Sequence, residues 1–419
     1  MKQNSILAVM VLALAMFIPA LPAQANLALV EPGDDVVKLT DGRELTGKIV
    51  REKDGYVWLD MGVGQPLFLS PDKIKEIVRN SGAEAGEDPI SLEAEEKAWV
   101  DDPNVTRAAI ITAEGMVGMQ MASKPLRDAI PMLKEEGVEL VVFKVKSGGG
   151  FLLEIQPLSD VLHNEYKQNF QLVAWIDSAI SAAAMTALTI DEIYFMPHGH
   201  FGAMTGWSGQ LQAMSGRGLE DVYYKMEKIS TRSQRAEYIP LIKAMQHNRM
   251  VSYDIDEATG EINFYETTAG EFVLNDGEHV LTLDSQQAEH CGFSQGTAAT
   301  YEELQAILEQ SVGEIEWVGE KVEGIPYPVS KAEMHQREYR EEVDYQDARF
   351  QEVVVKYQME IQNAQGVAVE RRGGFLRRAE GYLARIKRMI KINPNFGIFT
   401  VNEEWIRQQE EIIRELRRG

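Results

Sequence analysis

The chain has 419 residues, 44% of them hydrophobic and 26% charged, and a formal net charge of −23. That length exceeds one ordinary core, so two or three units are expected, and the composition excludes a disordered or fibrous chain. The acidity argues against a nucleic-acid partner, because neutralising phosphates takes a basic surface, and a single cysteine, Cys291, excludes an intramolecular disulfide.

At the amino terminus, Lys2 precedes an apolar run from Ile6 to Leu21, and Ala23-Gln24-Ala25 follows as a small-x-small cleavage pattern. Residues 1–25 therefore read as a signal peptide removed before Asn26, which makes the mature protein exported, periplasmic or extracellular. An uncleaved anchor is the weaker reading, because Pro19 and Pro22 cut the run short of the roughly 20 apolar residues a spanning helix needs.

Residues 33–80 alternate apolar and polar positions in short runs. Val36 to Thr40 leads into the hairpin dipeptide Asp41-Gly42, Leu45 to Arg51 returns, and Tyr56 to Asp60, Leu67 to Leu69 and Asp72 to Ile77 follow. The pattern predicts a small SH3-like β-barrel with an accessory or adaptor role. Residues 81–104, rich in Glu, Ala and Gly, read as a linker.

From residue 105 the pattern changes to strand, helix, strand. Ala108 to Thr112 and the β-branched run Glu139 to Val145 flank a helical stretch from Pro125 to Lys134. The alternation continues with a helix over Ile155–Tyr166, a strand over Leu172–Ile176, a helix over Ser181–Thr189 and a strand over Ile193–Met196. This is the signature of a parallel sheet with crossover helices. Residues 330–419 are densely charged and helical; Phe375, Ala379, Tyr382, Ile386 and Met389 form a heptad-like stripe, and Arg377, Arg378, Arg385, Lys387 and Arg388 crowd the other faces. Packing on the same chain or in a coiled coil with a sister subunit is preferred over contact with a membrane surface.

Two segments lie where an open parallel sheet places chemistry, at the carboxyl ends of strands. Ser147-Gly148-Gly149-Gly150 follows the strand ending at Val145, and glycines there let backbone amides turn toward a developing oxyanion. Ser178 to Met185 follows the next strand, with Ser181 among small residues at the start of a helix. Taken singly, the first is an ordinary glycine turn and the second an ordinary N-cap.

Taken together, Gly149-Gly150, Ser181 32 residues after Gly149, Asp191 to Pro197, Gly202-Ala203 and the segment Val280 to Gly292 resemble the ClpP/crotonase fold. The likeness is to the serine-lysine peptidases of the signal peptide peptidase and membrane-bound, NfeD-linked ClpP class. It covers about residues 105–315 and implies an α/β domain between the small barrel and the charged helical region. The resemblance implies Ser181 as nucleophile, Gly149 and Gly150 as oxyanion donors, and a lysine base on a helix more than forty residues downstream, which points to Lys225 or Lys228. Two positions depart from the family pattern: Gly148 stands where a proline is usual, and Ala183 replaces a glycine after the nucleophile. A Ser-His-Asp arrangement would place its histidine near Met204; His198 and His200 come too early.

Serine needs an adjacent base, a lysine serves only when burial lowers its pKa, and an arginine cannot serve. The expected function is an exported serine endopeptidase acting on peptides or hydrophobic protein segments and assembling as a homo-oligomer. The alternative is a degenerate scaffold that binds without cleaving. Acyl-CoA chemistry, the third class on this fold, lacks a matching paired-carboxylate signature. No metal or nucleotide motif is present, so no cofactor is expected.

Overall fold

The computed structural model describes residues 35–53, 56–61, 67–69, 73–79, 104–208, 212–213, 217–233, 235–398 and 400–418. The expected signal peptide, residues 1–25, and the expected linker up to residue 103 lie outside the described residues. The chain divides into two compact units, Met1–Glu96 and Lys97–Gly419.

In the first unit, β1 (Asp35–Leu39), β2 (Glu44–Lys53), β3 (Tyr56–Asp60), β4 (Leu67–Leu69) and β5 (Ile74–Val78) form a sheet of order β4-β3-β2-β1-β5. Every neighbouring pair is antiparallel. Side chains two apart share a face of a strand, so Val37 and Leu39 meet Val57, Leu59 and Leu69 in one small apolar cluster. Gly42 supplies a positive φ of 88° at the β1–β2 turn.

The second unit begins with β6 (Val105–Glu114), α1 (Ser123–Glu135), β7 (Leu140–Ser147), α2 (Leu152–Val161), β8 (Gln171–Ile180), α3 (Ala182–Ala187) and β9 (Glu192–Gly202). The short pair β10 (Trp207–Ser208) and β11 (Gln212–Ala213) precedes α4 (Arg217–Ser230) and α5 (Ile239–Gln246). Next come β12 (Met250–Ile255), β13 (Ile262–Tyr265) and β14 (Phe272–Asp276), an antiparallel sheet centred on β12 that the sequence reading did not anticipate. The main sheet is completed by β15 (Thr282–Asp284), followed by α6 (Ser285–His290) and α7 (Tyr301–Val312), and by β16 (Glu314–Trp317). Three helices close the chain: α8 (Lys331–Gln365), α9 (Gly373–Ile392) and α10 (Glu403–Arg418).

The main sheet has the order β15-β9-β8-β7-β6-β16. Its strands run parallel except β15, which pairs antiparallel at the β9 edge. The protein is therefore a mixed α/β chain with a mostly parallel central sheet. Both faces are covered, so the strands are continuously apolar. Alternate residues divide between them: Val141, Phe143 and Val145 of β7 face the helices α1 to α5, while Leu140 and Val142 face α7.

The carboxyl-terminal helices are built onto this unit. Glu333 on α8 is fully buried, and its carboxylate accepts from Thr112 N at 2.7 Å, Thr112 Oγ1 at 2.8 Å and Arg337 Nε at 2.6 Å. Buried charge is tolerated only when paired in this way. The α9 stripe packs against α8 of the same chain, in a register one residue from the expected one at two places: Leu376 and Leu383 are buried, and Phe375 and Tyr382 flank them. No described helix is long and apolar enough to cross a membrane.

Candidate active site

β7 and β8 are adjacent and parallel, so their carboxyl ends bring the glycine loop and Ser181 together. The glycine loop leaves β7 after Ser147, and Gly149 and Gly150 adopt φ values of 100° and 159°. A methyl group at Gly149 would lie 2.6 Å from Ser181 Cβ and 3.1 Å from Ser181 Oγ, so only glycine permits this approach.

Ser181 sits at the β8–α3 junction with φ 55° and ψ −124°. A non-glycine residue rarely takes this conformation, which costs about 1–3 kcal/mol and persists where surrounding structure imposes it, often at functional sites. The imposing contacts are visible. Ser181 N donates to Gly202 O at 2.9 Å, and Met185 N donates to Ser181 O at 3.0 Å. Ser181 makes no side-chain cap hydrogen bond, so its hydroxyl does not perform the ordinary N-cap task. The arrangement is the sharp strand-to-helix turn that presents a serine hydroxyl at the top of an α/β sheet.

One amide of the expected pair is engaged by a neighbouring side chain. Gly149 N donates to Ser147 Oγ at 3.2 Å and is already engaged. Gly150 N has no partner among the described residues, and its direction is set by Val117, whose N donates to Gly149 O and whose O accepts from Phe151 N, both at 2.9 Å. The sequence reading missed Ala182. Its amide is the first of α3 and lacks an intrahelical partner by position, and the residue after a nucleophile commonly supplies an oxyanion donor. That adjacency was visible in the sequence; the engagement of Gly149 by Ser147 was not.

The candidate bases are not buried. Lys225 and Lys228 are exposed on α4, whose inward face carries Val222, Met226 and Ile229. Ser181 Oγ has no hydrogen-bond partner among the described residues. Lys144 has its pKa pushed down by burial, but its Nζ lies 5.2 Å from the Trp175 ring centre and 5.6 Å from that of Tyr327. Those rings belong to the α7 face of the sheet, and α3 packs on the other. His198 Nε2 is 3.2 Å from Asp177 Oδ1, and His200 is exposed. Met204, where a histidine would be sought, is fully buried and donates its amide to Met245 O.

No family model and no curated protein matches this chain. Among solved structures it is similar to a mutant of the 1510-N membrane-bound stomatin-specific protease, at 11% identity and a TM-score of 0.37, over 52% of this chain and 99% of that one. A second mutant of that protease, in complex with a substrate peptide, gives 10% identity and a TM-score of 0.39 over 57% and 99% of the two chains. The 1510-N membrane protease specific for a stomatin homolog from Pyrococcus horikoshii gives 12% identity and a TM-score of 0.31 over 52% and 94%. Likeness this loose assigns neither activity nor substrate, so the functional reading rests on the geometry at Ser181.

Proposed function

We propose that this chain is a serine hydrolase of the ClpP class that cleaves peptide bonds outside the cytoplasm, with Ser181 as the nucleophile. The observation that carries the proposal is the uncapped hydroxyl of Ser181, held in a strained conformation against Gly149. In the acylation step Ser181 Oγ bonds to the scissile carbonyl carbon as its proton passes to a base. Negative charge then collects on the carbonyl oxygen, and the amides of Gly150 and Ala182, which are not engaged elsewhere among the described residues, are the donors assigned to it. Release of the amine leaves an acyl-enzyme that water hydrolyses. For the base we retain Lys225 or Lys228, which requires α4 to turn one of them inward. The amino-terminal sheet, as an SH3-like barrel, serves as an adaptor, and assembly into a homo-oligomer uses surfaces other than the α9 stripe, which α8 covers.

One observation favours a second reading, a scaffold that binds peptides without cutting them: the inward face of α4 is apolar and both lysines face solvent. A fluorophosphonate probe separates the two. Wild type should be labelled at Ser181 and should cleave members of an unfolded-peptide library, and Ser181→Ala should do neither. Lys225→Ala or Lys228→Ala, but not both, should reproduce the loss. Absence of both label and cleavage in wild type would establish the scaffold reading.

A further inference from the structure

The loop that orients Gly150 is itself held from the far end of the chain. Asn393, just beyond α9, is fully buried, and the two hydrogens of its Nδ2 are shared among three acceptors, Gly118 O at 2.9 Å, Met119 O at 3.0 Å and Tyr339 Oη at 2.9 Å. Its Oδ1 accepts from Asn395 N at 2.7 Å. Asn395, also buried, donates from Nδ2 to Gly118 O at 2.6 Å and to Glu154 Oε2 at 3.4 Å. Met119 meanwhile inserts into the apolar cluster of α8, α9 and α10. Gly118 has φ 90°, and a methyl group there would lie 2.6 Å from the Phe151 ring and 3.2 Å from Asn395 Nδ2.

These contacts form a short continuous series. Asn393 and Asn395 hold the carbonyls of Gly118 and Met119; the adjacent Val117 brackets Gly150 by accepting from Phe151 N and donating to Gly149 O; and Gly149 lies against Ser181. A buried carbonyl needs its donor, so removing the asparagine amides frees the loop to move toward water. The donors sit 274 to 277 residues from their acceptors along the chain, so no local turn can substitute for them.

We infer that Asn393 and Asn395 are positioning residues that lock the oxyanion loop, making the carboxyl-terminal helical region part of the active-site framework. Their role in catalysis rests on the peptidase reading; their role in ordering the loop does not.

Hydrogen–deuterium exchange on full-length Asn393→Ala tests the ordering directly. Peptides covering residues 115–121 and 148–153 should exchange about tenfold faster or more, while those covering β7, β8 and α1 keep wild-type rates. Wild-type exchange at the two loops would overturn the inference, as would acceleration everywhere, which marks a general fold defect. If Asn393→Ala does not accumulate, Asn395→Ala, which removes the second donor to Gly118 O together with the longer contact to Glu154 Oε2, should give a weaker acceleration at the same two loops. Where wild type cleaves peptides, Asn393→Ala should lose kcat by on the order of a hundredfold, as expected for a misplaced catalytic group, with KM within about twofold of wild type. A rise in KM with kcat retained would overturn the catalytic part. An inactive wild type with the exchange result intact would sink the peptidase reading alone.

Discussion

Ser181 is held in a conformation that a side chain with a Cβ resists, and the cost is carried by the whole fold. Glycine takes φ 55°, ψ −124° without that penalty. Ser181→Gly should therefore gain part of the roughly 1–3 kcal/mol of strain, less about 0.4–1 kcal/mol for the extra freedom of glycine in the unfolded chain. The expected net gain is about 1 kcal/mol, read as a higher urea midpoint with an unchanged slope. Ser181→Ala retains the Cβ and should not share the gain. A midpoint for Ser181→Gly at or below wild type would mean that the junction is not strained. A gain in stability with loss of function is the trade-off expected where an active residue is kept strained.

At the level of elements, α9 decides between the meanings of its apolar stripe. Ile386 is fully buried between α9 and α8, and Arg388 is exposed. Ile386→Ala should destabilise the protein by about 2–5 kcal/mol, the cost of an emptied core site, and Arg388→Ala should stay within about 0.5 kcal/mol. Equilibrium urea unfolding measures both; a neutral Ile386→Ala would show that the helix is not part of the core. The stripe itself was legible from spacing, but its register was not. Phe375 and Leu376, or Tyr382 and Leu383, are adjacent apolar residues about 100° apart on a helix, and only the position of α8 selects which one is buried.

The second unit as a whole can be followed through its one thiol. Cys291 is fully buried, and desolvation pushes its pKa up to about 11. A thiolate is the reactive form, so the native protein should react with a disulfide reagent at pH 8 only through opening of the structure, and the unfolded protein should react at once with one equivalent. Rapid native labelling would contradict the burial. The linkage has a definite sign. A thiol whose folded pKa is raised retains its proton in the folded state after the unfolded chain, at about 8.5, has released it. This contribution to stability is therefore complete below about pH 8.5 and is lost as pH rises toward 11.

Local chemistry was enough to read the strand-helix alternation and the parallel sheet, because each depends on residues close in sequence, such as β-branched runs and helical spacing. The pairing of the glycine loop with Ser181 came from the family resemblance, since each segment alone reads as an ordinary turn or cap. Strand lengths were read short. β8 extends to Ile180 and β9 to Gly202, because the ladder resumes at Ser178 and His200 after a register shift that leaves Asp177 and His198 out of the pairing between the two strands. The three strands around β12 were missed because their half-buried faces acquire meaning only against the main core. Tertiary structure alone decided that Ser147 engages the Gly149 amide, that Lys225 and Lys228 turn outward, and that Asn393 reaches Gly118 across 275 residues. A lysine's usefulness as a base and an amide's freedom to donate depend on what surrounds them in space, and those neighbours come from elements far apart along the chain.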